Sequence, residues 1–161
     1  MGYIKRIKIK IRSILRKQRL NHYKNVKING KLTLETYSNI FPDSDASLTI
    51  GSLFMNSYSS ITVKNNVQIG YNVMFGENVH VYDHNHIFTN KTMPFSRQGY
   101  KLKKVSIGDN CWIGTGTVIL GGAQIGNNCV VGANCIIDFH IPDNSIVKNN
   151  SELRIEKINF K

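Results

Sequence analysis

Acidic side chains are absent from the first 34 positions of this 161-residue chain. All 10 Asp and Glu residues lie from Glu35 onwards, whereas 11 of the 21 Lys and Arg residues lie between Lys5 and Lys31. The net charge of +11 therefore belongs to the N-terminal segment, because the other 10 basic residues balance the 10 acids. Binding to nucleic acid would require a basic face on the folded body. The neutral body argues against a nucleic-acid partner.

Cysteine is scarce as well, and the three present are Cys111, Cys129 and Cys135. An odd number does not make the disulfide framework of a small secreted domain, and the N-terminus shows no signal peptide. We therefore expect a cytoplasmic protein whose cysteines fill the core.

Charge is missing between positions 111 and 137, a stretch long enough to be mistaken for a membrane span. Gly, Asn, Gln and Thr recur through this stretch at a period of six. The period itself is the better explanation of the composition.

Two columns of residues repeat every six positions in the C-terminal half. The first column is aliphatic: Ile107, Ile113, Ile119, Ile125, Val131 and Ile137. The second lies two positions earlier and is mostly small: Val105, Cys111, Thr117, Ala123, Cys129 and Cys135. Asn or Gly, which tolerate positive φ, closes most repeats. Each hexad is thus predicted to be a short strand followed by a tight corner.

Three such hexads form one turn of about 18 residues, and stacked turns form a solenoid with a spacing of about 4.8 Å. The columns continue upstream through residues 61–81, with Asn66, Asn72 and Asn78 at corners and His84 at the next one. Leu48 and Ile50 fit after a slip of one residue, and Val26 to Leu34 resemble a degenerate first turn. Residues 35–47 are predicted to be an irregular connection. The pattern stops between His84 and Val105, which predicts an extruded loop at about 87–104.

The motifs Val81-Tyr82-Asp83-His84-Asn85-His86 and Val105-Ser106-Ile107-Gly108-Asp109-Asn110-Cys111-Trp112-Ile113-Gly114 resemble those of the hexapeptide-repeat acyltransferases. The resemblance covers about residues 48–147. It is to the galactoside and maltose acetyltransferase branch, and especially to bacterial polysaccharide O-acetyltransferases. It implies an all-β fold, the left-handed parallel β-helix. We expect a single acyltransferase domain over 1–161, divided into a basic segment (1–25), an entry coil and connection (26–47), the β-helix (48–147) and a C-terminal cap (148–161).

Residues between the inward columns face outwards, and their spacing of 18 residues sorts them by face. Trp112 and Val130 share one face, Val118 and Ile136 a second, and Ser106 and Gln124 the third. Two faces are therefore apolar and one is polar. A closed ring of three prisms would bury both apolar faces, so we expect a homotrimer with active sites between subunits, as the resemblance also implies.

The resemblance implies an acetyl-CoA-dependent O-acetyltransferase that acts on a sugar hydroxyl of a cell-surface polysaccharide or its precursor. Such a transfer needs a base for the hydroxyl proton, and a neutral imidazole is a common one. His84 matches the family base, with direct attack on acetyl-CoA and no metal. Adjacent side chains of an extended strand point apart, so we expect a backbone carbonyl, rather than Asp83, to set the tautomer of His84.

Further binding residues come from the same resemblance. Asn85 matches a position near the acceptor or thioester, and His86 is a candidate acceptor contact. Trp112 resembles a tryptophan beside the active-site tunnel, and Thr115 and Ala133 match positions whose backbone contacts pantetheine. The segment 138–154 departs from the family pattern and lacks its usual cations for the CoA phosphates, which leaves Lys148 and Arg154 as substitutes.

Other functions fit the same repeat. An amino-sugar N-acetyltransferase or a serine acetyltransferase differs only in the acceptor. A zinc enzyme resembling γ-class carbonic anhydrase could use His80, His84 and His86, and a scaffold without catalytic activity would have no affinity for CoA. The segment 1–20 is either an amphipathic peripheral contact with the inner face of an anionic membrane or a helix packed on the prism.

Overall fold

The structure is a computed structural model that describes residue 11 and residues 14–150. Its strands stack into a left-handed parallel β-helix of about six turns, which confirms the predicted fold class. Each complete turn contributes one strand to each of three parallel sheets, called sheets A, B and C.

Each sheet takes one strand from each successive turn of the prism. Sheet A contains β1 (Val26–Ile28), β4 (Ser47–Ile50), β7 (Asn66–Ile69), β12 (Val105–Ile107), β15 (Gln124–Ile125) and β18 (His140–Ile141). Sheet B contains β2 (Leu32–Leu34), β5 (Leu53–Met55), β8 (Val73–Phe75), β13 (Trp112–Ile113), β16 (Val130–Val131) and β19 (Ile146–Val147). Sheet C contains β3 (Asn39–Pro42), β6 (Ser60–Val63), β9 (His80–Tyr82), β14 (Val118–Ile119) and β17 (Ile136–Ile137).

The core is the interior of the prism, and both predicted inward columns lie in it. All six members of each column between Val105 and Ile137 are buried, including Thr117 and the three cysteines. The Thr117 hydroxyl donates to the Gly132 carbonyl at 2.9 Å, so the one polar member of the small column is satisfied. Alternation within each strand therefore divides core from surface, as the period-two pattern requires.

The corners use residues with positive φ, chiefly the predicted Asn positions. Asn72, Asn78, Asn110, Asn128 and Asn134 have φ between 54° and 56°. Asn66 was predicted at a corner, which is wrong, because it opens β7 instead. A left-handed backbone brings Cβ close to the following carbonyl oxygen, and Asn tolerates this conformation because its short polar side chain can hydrogen-bond locally.

The predicted irregular connection over residues 35–47 is also wrong. Residues Asn39–Pro42 form β3, which pairs in parallel with β6 and buries Ile40 and Pro42. Because β1 and β2 precede it, the regular coil begins at Val26. The degenerate first turn is thus a complete turn whose polar residues face outwards.

The predicted extruded loop is confirmed, and its departure point is His84. Strand β10 (His84–His86) leaves the prism and pairs antiparallel with β11 (Tyr100–Leu102). Residues Phe95–Arg97 form a short 3-10 helix near the tip of this hairpin. The chain returns to sheet A at Val105, so the loop is an insertion between the third and fourth turns.

Residues 14–20 are helical and pack at the N-terminal end of the prism. Leu20 is buried, Arg16 donates to the carbonyl of Ser38, and Lys17 donates to that of Gly30. Positions 1–10, 12, 13 and 151–161, with about half of the basic segment and most of the cap, lie outside the described residues. No helix in the described part of the chain has the length and hydropathy needed to cross a bilayer.

Candidate active site

A buried carboxylate lies at the point where the chain leaves the prism. Asp83 follows β9, and its side chain is 0% exposed. Its Oδ1 accepts from the backbone N–H of Lys64 at 2.9 Å, and its Oδ2 accepts from that of Asn65 at 2.7 Å. These donors stabilise the carboxylate in the interior.

The same carboxylate contacts the predicted base, because Nδ1 of His84 lies 3.1 Å from Oδ1 of Asp83. The prediction that a backbone carbonyl would set the His84 tautomer is therefore wrong. It assumed one straight strand, whereas the chain changes partner between these residues, from the parallel ladder of β9 to the antiparallel ladder of β10. An ionised carboxylate only accepts, so Nδ1 carries the proton and the lone pair lies on Nε2.

Aromatic rings fix the orientation of this imidazole. Tyr100 meets the His84 ring edge to face at a centroid distance of 5.3 Å, and Tyr82 does so at 5.9 Å. The Lys64 ammonium lies 4.4 Å from the centroid of Tyr100 and 3.0 Å from a carboxylate oxygen of Asp43. The hydrogen bond to Asp43 is the main cause that raises the pKa of Lys64, so the cation persists over Tyr100.

His84 opens onto a cleft between the hairpin and the corner that joins sheets C and A. The cleft has a volume of about 180 Å³. Its lining residues are His84, Asn85, Lys101, Lys103, Leu120, Gly121 and Asp138. A base, an amide, cations and a carboxylate thus share one small polar cleft, which can hold a sugar ring and direct a hydroxyl to the imidazole.

The two residues after His84 separate. Asn85 lies in the cleft, and its Oδ1 accepts from the backbone N–H of His86 at 2.9 Å. The His86 ring instead packs against Tyr100, with a centroid distance of 4.7 Å. His86 is exposed and is not among the cleft residues. The geometry thus places Asn85, but not His86, beside the base.

Trp112, Thr115 and Ala133 lie elsewhere on the prism. Trp112 is 51% exposed on sheet B, between Met74 of β8 and Val130 of β16. Thr115 and Ala133 are exposed at the corner that joins sheets B and C, where Asn134 N–H donates to the Thr115 carbonyl. Sheet C separates this corner from the cleft, so a single chain does not bring these three residues to His84.

The histidines of the zinc alternative are engaged in other contacts. Nδ1 of His80 lies 2.7 Å from the Ser60 hydroxyl, and its Nε2 lies 3.0 Å from Oδ1 of Asn78. Both ring nitrogens of His80 are therefore in polar contacts within sheet C and its corner. Within the described residues, no three His, Cys, Asp or Glu side chains are grouped to hold a metal ion.

Lys148, a candidate for the CoA phosphates, lies beside an open groove at the C-terminal end of the prism. Asn134, Ile136 and Phe139 line the same groove. The groove begins next to the corner that holds Ala133. Arg154, the other candidate, lies outside the described residues.

Five of the seven cleft residues, three of them charged, were not among the predicted site residues. Lys101 and Lys103 belong to the extruded loop, and Asp138 belongs to the segment that departs from the family pattern. The hairpin is the signal that could have placed the two lysines in the site, because Lys101 pairs with Asn85 across its two strands. Reading the loop as two strands requires knowing where it folds back, which the sequence does not mark strongly.

Comparison with known proteins agrees with this architecture. Residues 104–138 match the family model described as bacterial transferase hexapeptide (six repeats). Over these residues the chain carries the repeat that this family model describes. An Escherichia coli (strain K12) protein named as a lipopolysaccharide biosynthesis O-acetyl transferase is 30% identical over 114 residues, which cover 66% of this chain and 58% of that protein. The chain spans 28% to 58% of the length of the curated relatives it matches.

Solved structures show the same fold. A maltose O-acetyltransferase from Clostridium difficile 630 is 26% identical, with a TM-score of 0.58 over 90% of this chain and 75% of that one. A hexapeptide-repeat acetyltransferase from Vibrio cholerae, solved with acetyl-CoA, is 21% identical, with a TM-score of 0.67 over 83% of this chain and 70% of that one. This chain thus has the same prism fold as these two acetyltransferases.

Proposed function

We propose that this protein is an acetyl-CoA-dependent O-acetyltransferase whose acceptor is a sugar hydroxyl of a cell-surface polysaccharide or its precursor. The observation that carries the proposal is the buried Asp83 carboxylate at 3.1 Å from Nδ1 of His84, which orients the imidazole beside a polar cleft. The similarity to a lipopolysaccharide O-acetyl transferase and a maltose O-acetyltransferase supports an acceptor of this class.

The transfer proceeds by direct attack. Nε2 of His84 takes the proton of the acceptor hydroxyl as its oxygen forms a bond to the thioester carbonyl carbon. The tetrahedral adduct then collapses, the carbon–sulfur bond breaks, and the imidazolium returns its proton to the CoA thiolate. Asp83 stabilises the imidazolium between these two steps, as a buried carboxylate does beside a catalytic histidine. The products are the acetyl ester and free CoA thiol.

The acyl donor is acetyl-CoA, and the second half of its site comes from another subunit. Trp112, Thr115 and Ala133 line an exposed corner that is remote from His84 of the same chain. In a closed trimer the cleft of one protomer faces the neighbouring prism, so the partner subunit's Trp112 and Thr115 would flank the pantetheine arm. The volume of about 180 Å³ is too small for the whole donor, which supports a shared site.

The outer faces of the prism support this assembly. On sheet B an outward apolar column runs through Phe54, Met74, Trp112, Val130 and Ile146. On sheet C the column is apolar only at Val118 and Ile136, because His80 and Ser60 precede them. The column of sheet A is polar throughout, from Lys27 to His140. Two different apolar faces fit a heterologous contact that closes into a ring.

The N-terminal segment forms a peripheral contact with an anionic membrane surface. Its residues 14–20 anchor it to the prism through the buried Leu20, whereas Ile11, Ile14 and Leu15 are exposed. Eight Lys or Arg residues lie within the first 20 positions. Exposed aliphatic residues among basic ones suit the interface of an anionic bilayer.

An acceptor screen tests the activity. The protein is incubated with acetyl-CoA and a panel of sugars, amino sugars, serine and activated glycans, and free thiol is followed before product mass is measured. We expect thiol release that depends on a hydroxyl-bearing glycan, together with an alkali-labile gain of one acetyl group. Transfer only to an amine would replace the O-acetyltransferase with an N-acetyltransferase, and no CoA affinity would leave a non-catalytic scaffold.

A further inference from the structure

The cleft beside His84 holds more positive charge than recognition of a neutral sugar requires. Lys101 and Lys103 both line it, against the single carboxylate of Asp138. In the part of the chain that the structure describes, the ion pairs are Lys64 with Asp43 and His84 with Asp83, so neither cleft lysine forms an ion pair there. Uncompensated cations in a cleft favour an anionic ligand.

The backbone fixes both lysines relative to the base. Lys101 lies opposite Asn85 in the β10–β11 ladder, and residues opposite each other in a ladder face the same side of a hairpin. Lys103 follows two positions later, and its backbone N–H donates to the carbonyl of Asp83 at 2.8 Å. Lys101 therefore lies in the ladder that also contains His84, and Lys103 lies one residue beyond its end.

Two consecutive glycines make room for the Lys103 side chain. A Cβ at Gly121 would lie 3.2 Å from Cβ of Lys103, and one at Gly122 would lie 3.3 Å from its Cδ. Gly122 also has a φ of 106°, which an L side chain rarely adopts. The Lys103 stem thus runs along the glycine corner, with its ammonium at the edge of the cleft.

We propose that the acceptor carries an anionic group, a carboxylate or a phosphate, which Lys101 and Lys103 bind while a nearby hydroxyl faces His84. This inference rests on the proposed transfer function. The CoA phosphates are a poor alternative occupant, because the pantetheine arm separates them from the thioester. When the thioester is at His84, the phosphates lie beyond the cleft that His84 shares with the lysines.

The test uses matched acceptors that differ only in charge. A uronic-acid polysaccharide is compared with its carboxyl-reduced form, and a phosphorylated glycan is compared with its dephosphorylated form. Binding is measured by calorimetry and transfer by acetate incorporation, for the full chain and for the Lys101→Gln/Lys103→Gln variant. Lys91→Gln, which removes a loop charge outside the cleft, is the control.

We expect the unmodified protein to favour one anionic member of these pairs by about tenfold to a hundredfold, the contribution of one or two charge-assisted hydrogen bonds. The double variant should lose that ratio, with KM for acetyl-CoA unchanged, and Lys91→Gln should keep it. The pair that shows the preference identifies the anion as carboxylate or phosphate.

Several results would overturn the inference. Equal binding of charged and neutral partners would remove it, as would a ratio that survives in the double variant. A raised KM for acetyl-CoA would assign the lysines to the donor, and an equal loss of kcat on both acceptors would assign them to the oxyanion. Absence of transfer to every acceptor, with the binding preference intact, would contradict the proposed enzyme function but support the anion site.

Discussion

Nδ1 of His84 lies 3.1 Å from Oδ1 of Asp83, and Asp83 is completely buried beneath it. Residues adjacent in a strand would point to opposite faces, but here the backbone passes from sheet C into an antiparallel hairpin between them. Asp83, the last inward residue before the insertion, therefore contacts His84, the first residue of the insertion. The insertion does more than extend the chain, because it creates the contact that orients the His84 imidazole.

Removal of the imidazole should abolish most of the transfer. We expect His84→Ala to lower kcat/KM by about 10² to 10⁴, the range for loss of a positioned general base. The melting temperature should change little, since the His84 side chain is not part of the buried core of the prism. Retention of more than about half of the activity would mean that the base is another residue.

His86→Ala and His80→Ala are matched controls for that variant. His86 packs on Tyr100 outside the cleft, so its removal should cost little activity. His80 bonds Ser60 and Asn78, so its removal should affect stability more than transfer. Loss of activity in all three variants together with bound zinc would instead support the metal enzyme.

Asp83→Asn tests the positioning role of the buried carboxylate. The amide can present an NH₂ to the N–H donors of Lys64 and Asn65, which leaves buried donors unsatisfied at a cost of about 1–3 kcal/mol. It also allows the other tautomer of His84, so kcat should fall more than KM rises. Asp43→Asn, which removes an exposed carboxylate beside Lys64, is the control. Unchanged kcat in a folded Asp83→Asn protein would contradict the role.

The prism was predictable from the sequence because its rule is local and repeated. Inward columns two apart and a permissive corner every sixth position fix both strand and register. The first two turns were harder to predict, because Tyr37 stands at a corner of the first turn and Tyr58 at a corner of the second, where Asn or Gly is expected. Both tyrosines have positive φ. The cleft was only partly predictable: His84 and Asn85 came from a motif, whereas Lys101, Lys103 and Asp138 meet them through a hairpin fold and a neighbouring turn, which no local period encodes.

The buried cysteines should be unreactive until the protein unfolds. Burial raises the pKa of the Cys111 thiol above its ordinary value, so the reactive thiolate is rarer in the folded state at any given pH. The unfolded thiol ionises at lower pH, so the free energy of unfolding should decrease as the pH rises past the ordinary thiol pKa. Titration with a thiol reagent, native and in denaturant, checks this. Rapid labelling of the native protein would contradict it.

The membrane contact predicts a separable N-terminal function. Leu20 ends the helical residues 14–20 and is only 3% exposed. A truncation should therefore end before residue 14, so that this helical segment is kept. We expect deletion of residues 1–13 to abolish binding to anionic vesicles at low salt while turnover of a soluble acceptor persists, because the prism starts later. Co-sedimentation with neutral vesicles is the control. Failure of the intact protein to bind anionic vesicles would remove the proposal.

The trimer predicts that charges on two outer faces disrupt both assembly and activity. Val130 lies beside Trp112 on sheet B, and Ile136 lies beside Val118 on sheet C. Val130→Asp or Ile136→Asp would bury an unpaired carboxylate at a cost of about 3–5 kcal/mol per contact, so light scattering should show dissociation. Gln124→Asp, on the polar face of sheet A, should leave the assembly intact.

A mixing experiment then decides whether the active site is shared between subunits. His84→Ala lacks the base, and a Thr115→Trp variant should block the pantetheine contact on the other side of the interface. Either variant alone should be inactive. Trimers reassembled from an equal mixture contain some interfaces in which the intact His84 of a Thr115→Trp chain faces the intact Thr115 of a His84→Ala chain. Such interfaces should restore part of the activity. A site built within one chain predicts no recovery on mixing, since every protomer would carry one of the two lesions.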